Sequence, residues 1–468
     1  MKNYKNIVYA AMSMLLWSTS CNDWLDVQPK TELKESELFS TEQGFKEALT
    51  GVYVSMTNGT TYGRELTFGM LSVMASDYSV NSSSEQAVLS LKAIEEYDYT
   101  KNQVKGIIDQ VWLNQYNSIA LTNNILGNIE AKRSVFSDQG YNLVKGEALA
   151  LRAFVHFDLM RMFAPAYITK DNAKYMPYVT RYTRENTPLS TVDELVEYIL
   201  NDIKEAEMLL KDDVVNKLGT ADRKIRMNRL AVKGLKARVL LYIGNHAGAY
   251  QAAKEVIDAR QVVLRPESQE INLDRSIHSE HLFSLFSDGF EERVTKLVTP
   301  ESGTLASVPY YFTDEDKLRT RIFENVATDI RFKVPVFQMY RGLLTPHKFM
   351  YVDIPVGTPN VNRHYIPLMR LGEMYLIAAE AAPTKDEGVA LLNALCTNRG
   401  MLAFANDIDL VEKIKQEYRK EFFSEGQTFY YYKRLGAKKV DDSPVNDMSN
   451  AQYVFPMPEN EKIYGGRN

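Results

Sequence analysis

The stretch 146–163 reads GEALALRAFVHFDLMRMF and predicts a helix that is buried on nearly every side. It has no Pro and, after its first residue, no Gly. One face of such a helix carries apolar residues at three- and four-residue steps, namely Ala148, Leu151, Val155, Leu159 and Met162. Ala150, Ala153, Phe154 and Phe157 cover most of the remaining surface. A helix that is apolar all round must be packed between other helices, and Pro165 ends it.

Neighbouring stretches supply these other helices. Helical periodicity and capping residues predict further helices at 41–56, 106–131, 190–211, 228–243, 247–260, 371–380, 387–398 and 411–434. Small and apolar residues of 228–260 fall at the spacings of a tetratricopeptide repeat: Ala237, Leu240, Gly244, Ala249, Ala253 and Val256. Because one helix pair leaves an apolar face uncovered, pairs are expected to stack. The predicted fold is mostly α, with tetratricopeptide-like helix pairs, long irregular loops and few short strands.

The first residues predict export and lipidation. Lys2 and Lys5 precede the apolar run 7–17 and the small residues 18–20, a pattern typical of a secretory signal. Cys21 follows directly, and the arrangement resembles a bacterial lipobox, in which this Cys becomes the acylated N-terminus. The acidic segment 22–26 (NDWLD) resembles the surface-export signal of Bacteroidetes lipoproteins. We therefore expect lipid anchoring on the outer face of the outer membrane; simple secretion with a chance Cys is the alternative.

Changes in composition along the chain predict its segments. We predict a signal peptide at 1–20, a lipidated tether at 21–40, helical parts at 41–260 and 366–468, and a Pro-rich, loop-rich segment for ligand or partner at 261–365. The stretch 57–100 is expected to form loops with short irregular elements.

A net charge of −5 gives no reason to expect nucleic-acid binding. With two Cys and six scattered His, no disulfide framework, metal site or cofactor is expected.

Catalytic motifs are missing from the sequence. It contains no G-x-S-x-G, no Walker-type loop, no G-x-G-x-x-G and no H-E-x-x-H. Carboxylates adjoin along the chain at Glu95-Glu96 and Asp441-Asp442, but a glycosidase needs two carboxyl groups facing each other across a substrate. We therefore predict that the protein is not an enzyme, with a secreted hydrolase as a minor alternative.

Five ordered motifs carry a family resemblance. They are Leu25-Asp26 to Tyr53; Trp112, Tyr116, Ile119, Asn123 and Leu126; Gly146-Glu147-Ala148 with Leu151-Arg152-Ala153; IPLMRLGEMYLIAAEA at 366–381; and Asn393, Arg399-Gly400, Glu417, Arg419, Glu421, Glu425-Gly426 and Arg434, followed by Pro456-Met457-Pro458. Over essentially its whole mature length the chain resembles the SusD/RagB outer-membrane lipoproteins. It departs from them at Tyr418, Tyr431 and Cys396, where the family prefers Arg, Asp and Arg.

The resemblance implies a non-enzymatic function. Family members have four tetratricopeptide-like helix pairs on one side and ligand-binding loops on the other. They act as the extracellular lid of a SusC-like TonB-dependent transporter and deliver oligosaccharides or, in some members, peptides. A general helical-repeat scaffold that binds a protein is a further alternative.

The family's charged motif residues should be mostly structural. Arg152, Glu373, Glu380, Arg399, Arg419 and Glu425 lie in apolar helical contexts, where a charge must be paired, so we predict an internal ion-pair network. Trp112 and Tyr116 are spaced i, i+4 among apolar neighbours and are predicted to lie in the core.

Ligand contacts are expected from loops instead. A sugar has a flat C–H face beside hydroxyl groups, so its site needs an aromatic platform together with polar side chains. One candidate region contains Asp77, Tyr78, Asn81, Tyr97, Asp98 and Tyr99. The other contains Phe286, Asp288, Tyr310, Tyr311 and Phe312. The predicted ligand-binding residues among them are Asp77, Tyr78, Asn81, Tyr97, Tyr99, Phe286, Tyr310 and Tyr311, although any one of these aromatics could instead serve packing.

Overall fold

The computed structural model describes residues 35–80, 86–214, 223–266, 270–299, 310–359 and 361–466. The predicted signal segment, the lipidation site Cys21 and the candidate residue Asn81 lie outside this part of the chain. The described part is mostly helical, as predicted. Its α-helices are α1 (Glu42–Met56), α2 (Met70–Met74), α3 (Gln86–Glu95), α4 (Asn102–Ile129), α5 (Asp138–Phe163), α6 (Val192–Leu209), α7 (Arg229–Tyr242), α8 (His246–Asp258), α9 (Phe290–Val298), α10 (Leu371–Glu380), α11 (Lys385–Thr397), α12 (Leu410–Glu421), α13 (Gln427–Arg434), α14 (Asn450–Tyr453) and α15 (Glu459–Tyr464).

Helix α5 is the buried helix that the sequence predicts. It begins eight residues earlier than the apolar pattern, because Ser137 caps it by accepting a hydrogen bond from the backbone N–H of Gly140 at 3.0 Å. From Gly146 to its end at Phe163 every residue of the helix is buried. Helices α4 and α6 pack along its two sides. The polar residues of α5 are therefore forced to find partners inside the protein.

Helices adjacent in sequence pack as pairs. Helix α4 packs on α5, α7 on α8, and α10 on α11, while α8 also packs on α10 and so joins the N-terminal pairs to the C-terminal ones. Thr191 starts α6 with the predicted cap, in a capping box with Glu194. None of the helices in the described part of the chain combines the length and apolar character that crossing a bilayer requires.

The strands of the described residues are short and antiparallel. They form the pairs β1 (Met176–Pro177) with β2 (Leu189–Ser190), β3 (His281–Phe286) with β6 (Tyr365–Arg370), and β4 (Phe337–Tyr340) with β5 (Leu343–Pro346). Strand β3 lies in the predicted loop-rich segment and pairs with β6 at the start of the predicted C-terminal part. The segment 261–365 is thus tied to the helical body by a buried strand pair. The domain boundaries themselves stay predictions.

Two expectations about local structure need correction. The stretch 57–100 contains the helices α2 and α3 rather than only loops and irregular elements. The predicted single helix 411–434 is two helices, α12 and α13, separated by a turn. Ser424 and Gly426 adopt positive φ angles of 64° and 72° in that turn, and a Cβ on Gly426 would lie 2.8 Å from the carbonyl oxygen of Leu66. Gly is favoured at position 426 because a side chain there would meet both an unfavourable φ angle and a close carbonyl oxygen.

The predicted internal ion-pair network is confirmed. Each of the six charged motif residues is paired: Arg152 with Asp202, Glu373 with Arg238, Glu380 with Arg434, Arg399 with Glu280 and Glu421, Arg419 with Asp442, and Glu425 with Arg370 and Lys348. Glu421 is the centre, because its carboxylate accepts from Arg331, Arg370 and Arg399 at 2.5–3.0 Å. These guanidinium groups hold the pKa of Glu421 well below its usual range, despite complete burial.

The three residues that depart from the family pattern are all packed inside the protein. Tyr418 of α12 and Tyr431 of α13 stack on each other, with ring centroids 4.3 Å apart. Where the family prefers an Arg and an Asp, this chain therefore has a stacked pair of tyrosines. Cys396 is buried, as expected for a lone thiol, and burial raises its pKa.

Candidate ligand-binding surface

The two loop regions predicted from the sequence meet in the structure. The backbone N–H of Ser79 donates to the carbonyl of Phe312 at 2.8 Å, in an isolated antiparallel bridge. Beside this bridge the rings of Tyr78 and Tyr311 stack, with centroids 4.8 Å apart. The sequence marked both regions as candidates, but it gave no sign that they touch each other.

Most of the predicted side chains in these regions are enclosed by protein. Tyr78 and Tyr311 are only 3% and 5% exposed, and Tyr97 is also buried, with its hydroxyl donating to the carbonyl of Met74. Tyr99 is half-buried, and its hydroxyl donates to the carbonyl of Gln452. A ring face that is buried in protein is not available to stack on a sugar. We therefore assign Tyr78, Tyr97 and Tyr311 to the support of the surface, and their contact with a ligand stays untested.

Asp77 belongs to the same support. Its carboxylate accepts from the backbone N–H of Ser424 at 2.9 Å, in the turn between α12 and α13. Burial raises the pKa of Asp77 to about 6, against the lowering effect of this hydrogen bond and of Lys317. Asp77 thus ties the first loop region to the C-terminal helices rather than facing solvent.

An exposed aromatic group lies at the end of the strand pair β3–β6. Phe286 is 44% exposed, and its ring centroid lies 5.6 Å from those of both His364 and Tyr365. The imidazole Nδ1 of His364 lies 3.2 Å from the carbonyl of Asp288, whose own side chain is exposed. We call Phe286, His364 and Tyr365, with Asp288, the aromatic edge. It combines an exposed aromatic ring, that of Phe286, with an exposed acidic residue, and these residue types are expected in a sugar site.

Only part of the aromatic edge was predicted. Phe286 was among the candidates, whereas His364 and Tyr365 were not, because they precede a motif that was recognised for its helix. The antiparallel register sets Phe286 opposite Tyr365, so the two share one end of the strand pair. Knowing that β3 pairs with β6 would have identified His364 and Tyr365 as candidates, but nothing in a single sequence specifies that pairing. The last candidate, Tyr310, is half-buried, with its backbone N–H bonded to the carbonyl of Leu297 at 2.9 Å.

A concave surface lies beside helix α4. It is a groove of about 480 Å³, within the range of small-ligand sites. Its lining combines aromatic, amide and carboxyl side chains, including Trp112, Tyr116, Tyr464, Gln110, Asn186, Asn460, Asp109, Glu185 and Glu461. Trp112 is 6% exposed and packs on Phe163, which confirms its predicted core role, while Tyr116 is half-buried. Both still line the groove, as does Tyr464, which is 80% exposed.

The carboxylate pairs noted in the sequence and the potential metal ligands can be placed among the described residues. No group of three or more His, Cys, Asp or Glu among them could hold a metal ion. Of the carboxylate pairs noted in the sequence, Asp441 and Asp442 both bind Arg419. Their charges are engaged in the C-terminal ion-pair network instead of facing a cleft.

Comparison with known proteins decides the family. A family model described as "Starch-binding associating with outer membrane" matches residues 23–241, and the SusD family model matches residues 340–466. The chain belongs to the SusD/RagB family. Two SusD-like relatives from Formosa agariphila, P38 and P2, are 23% and 24% identical to it, over 98% and 99% of this chain and 97% and 98% of theirs.

Solved structures agree on the SusD fold. A SusD-like carbohydrate-binding protein from Bacteroides vulgatus superposes with a TM-score of 0.73 at 22% identity, covering 91% of this chain and 97% of its own. A laminarin-binding SusD-like protein gives a TM-score of 0.69 at 18% identity, covering 90% and 97%. The segment 242–339, which holds Phe286, Tyr310 and Tyr311, lies between the two matched stretches. The family models therefore say nothing about these three candidate residues.

Proposed function

We propose that this SusD/RagB protein is a non-catalytic, cell-surface lipoprotein that captures an oligosaccharide and delivers it to a SusC-like TonB-dependent transporter. Membership of a starch-binding, outer-membrane-associated family is the observation that carries the proposal. The predicted signal segment and Cys21 supply the route to a lipid anchor on the outer face of the outer membrane. The anchor would hold the aromatic edge and the loops outside the cell, where they can bind nutrient glycans.

The aromatic edge is our proposed point of glycan contact. Its rings project from a strand pair whose other residues are buried, so the ring positions are fixed by the core before any ligand arrives. A rigid aromatic platform binds with little loss of side-chain entropy, which favours capture of flexible oligosaccharides. The carboxylate of Asp288 would accept hydrogen bonds from sugar hydroxyl groups at the rim.

The first test is a binding screen of the purified protein against an oligosaccharide array and, in parallel, a peptide pool. We expect saturable binding to one class of oligosaccharide and none to the peptides. Binding to peptides alone would replace the glycan assignment with peptide capture. Incubation of each glycan that binds should leave its chain length unchanged, and release of shorter products would contradict the non-catalytic assignment.

The second test concerns the anchor and the partner. A tagged protein isolated from outer membranes should bring a TonB-dependent barrel with it. The variant Cys21→Ala should lose incorporation of a labelled fatty acid and should no longer sediment with membranes. Recovery of the tagged protein without any barrel would count against delivery to a transporter.

A further inference from the structure

A small, partly open cavity lies where the N-terminal helices meet the C-terminal ones. Its walls come from α5, α7, α10, α12 and α13, and its volume is about 30 Å³. That space accommodates one or two waters or a single monatomic ion, but no tetrahedral oxyanion. We call it the arginine–tyrosine cavity after four of its lining residues: Arg161, Arg238, Tyr242 and Tyr430.

These four side chains are buried, and each has a polar atom without a hydrogen-bond partner. Within the described chain, the Nε of Arg161, the Nη1 of Arg238 and the hydroxyl groups of Tyr242 and Tyr430 make no hydrogen bond. All four residues are less than one-tenth exposed. Buried donors without an acceptor are rare and costly, so four around one cavity indicate an occupant.

The remaining hydrogen bonds of the two guanidinium groups are already made. Arg238 binds Glu373 through Nε and Nη2, both at 2.6 Å. Arg161 binds Gln427 at 3.1 Å and Asp158, and its guanidinium carbon lies 3.6 Å from the centroid of the Tyr430 ring. Glu373 also lines the cavity, but both of its carboxylate oxygens already accept from Arg238. The Nε of Arg161 and the Nη1 of Arg238 are the guanidinium nitrogens left for an occupant of the cavity.

All four unpartnered groups can donate a hydrogen bond to one acceptor in the cavity. Both Arg nitrogens can only donate, and each phenol can donate its single O–H. A water molecule accepts only about two hydrogen bonds and must donate its own hydrogens to an acceptor. A halide ion accepts from every side and donates none, so it can accept from both guanidinium N–H groups and both phenol O–H groups at once. A third guanidinium, that of Arg434, lines the same cavity and is paired with Glu380.

From this geometry we infer that the arginine–tyrosine cavity binds a halide ion, chloride under ordinary conditions. The ion bridges α5, α7 and α13 and so fastens the two ends of the helical body together. Tyr418 and Tyr431, the two departures from the family pattern, also line the cavity. The inference concerns the scaffold and does not depend on the ligand that the surface binds.

The direct test is crystallisation of the protein in sodium bromide, with diffraction data collected at the bromine absorption edge. An anomalous peak in the cavity, within hydrogen-bond distance of the Nη1 of Arg238, is the expected result. Water density without an anomalous peak overturns the inference.

A solution test uses thermal unfolding in chloride and in gluconate at equal ionic strength. Because a ligand that binds only the folded state raises its stability, the midpoint should be higher in chloride and should rise with chloride concentration. The double variant Tyr242→Phe/Tyr430→Phe should lose this difference. The control Tyr432→Phe, a buried tyrosine of α13 outside the cavity lining, should keep it. Equal midpoints of the unaltered protein in the two salts contradict halide binding.

Discussion

Replacing Glu421 by Gln tests the ion-pair network at its centre. The carboxylate accepts from four guanidinium N–H groups: Arg370 Nη1 and Arg399 Nη2 on Oε1, and Arg331 Nη1 and Arg399 Nε on Oε2. A Gln amide keeps one of these oxygens and turns an NH₂ group toward the other two donors. Two charge-assisted hydrogen bonds are lost, at about 1.5–3 kcal/mol each. We therefore expect the free energy of unfolding to fall by about 3–5 kcal/mol, the usual cost of breaking a buried pair.

Urea unfolding followed by circular dichroism measures this change. The matched control is Glu412→Gln in the same helix, because Glu412 pairs with Lys415 and has a side chain that is 47% exposed. Exposed pairs contribute at most about 1 kcal/mol, so this variant should be nearly neutral. Similar losses in Glu412→Gln and Glu421→Gln would refute the view that burial makes the centre of the network costly to break.

Three further perturbations follow from local structure. Burial lowers the pKa of His347 to about 4. Because the unfolded chain therefore takes up the proton first, the free energy of unfolding falls as the pH drops from about 6.5 to 4. In His347→Gln this pH dependence, measured by thermal unfolding, should become shallower by about 1.4 kcal/mol per pH unit. Gly426→Ala should cost more than 1 kcal/mol in urea unfolding, because of its positive φ and the nearby carbonyl of Leu66, and a neutral result would contradict that reading. Thr191→Ala removes the capping box of α6 and should lower the free energy of unfolding by about 1 kcal/mol. The control Thr397→Ala, at the C-terminal residue of α11, should lower it by less.

The sequence predicted the helical body well because its signals are local. An apolar pattern around the whole of 146–163 can only be satisfied by burial, and Thr191 with Glu194 marks a helix start without reference to anything distant. Charged residues in apolar helices, such as Arg399, likewise had to be paired, although the identity of the partner Glu280 could not be read from the chain. Local rules fix elements and burial, but leave pairing across long separations open.

The candidate surface was less predictable for the same reason. Tyr78 and Tyr311 looked like loop aromatics free to meet a ligand, and only the fold brings them together and buries them. His364 and Tyr365 join Phe286 through a strand pairing that spans about eighty residues, which no periodicity encodes. The helix break at Gly426 was missed because a single Gly within an apolar pattern is compatible with a continuous helix.

The binding of an oligosaccharide at the aromatic edge is tested most directly by calorimetric titration of a glycan that the array identifies. Phe286→Ala should weaken its binding at least about tenfold, which corresponds to about 1.4 kcal/mol. Tyr198→Ala, which removes another exposed ring on helix α6, should leave the affinity unchanged. Unaltered affinity in Phe286→Ala, with a loss in Tyr464→Ala instead, would place the ligand in the groove beside α4 and contradict the assignment to the aromatic edge.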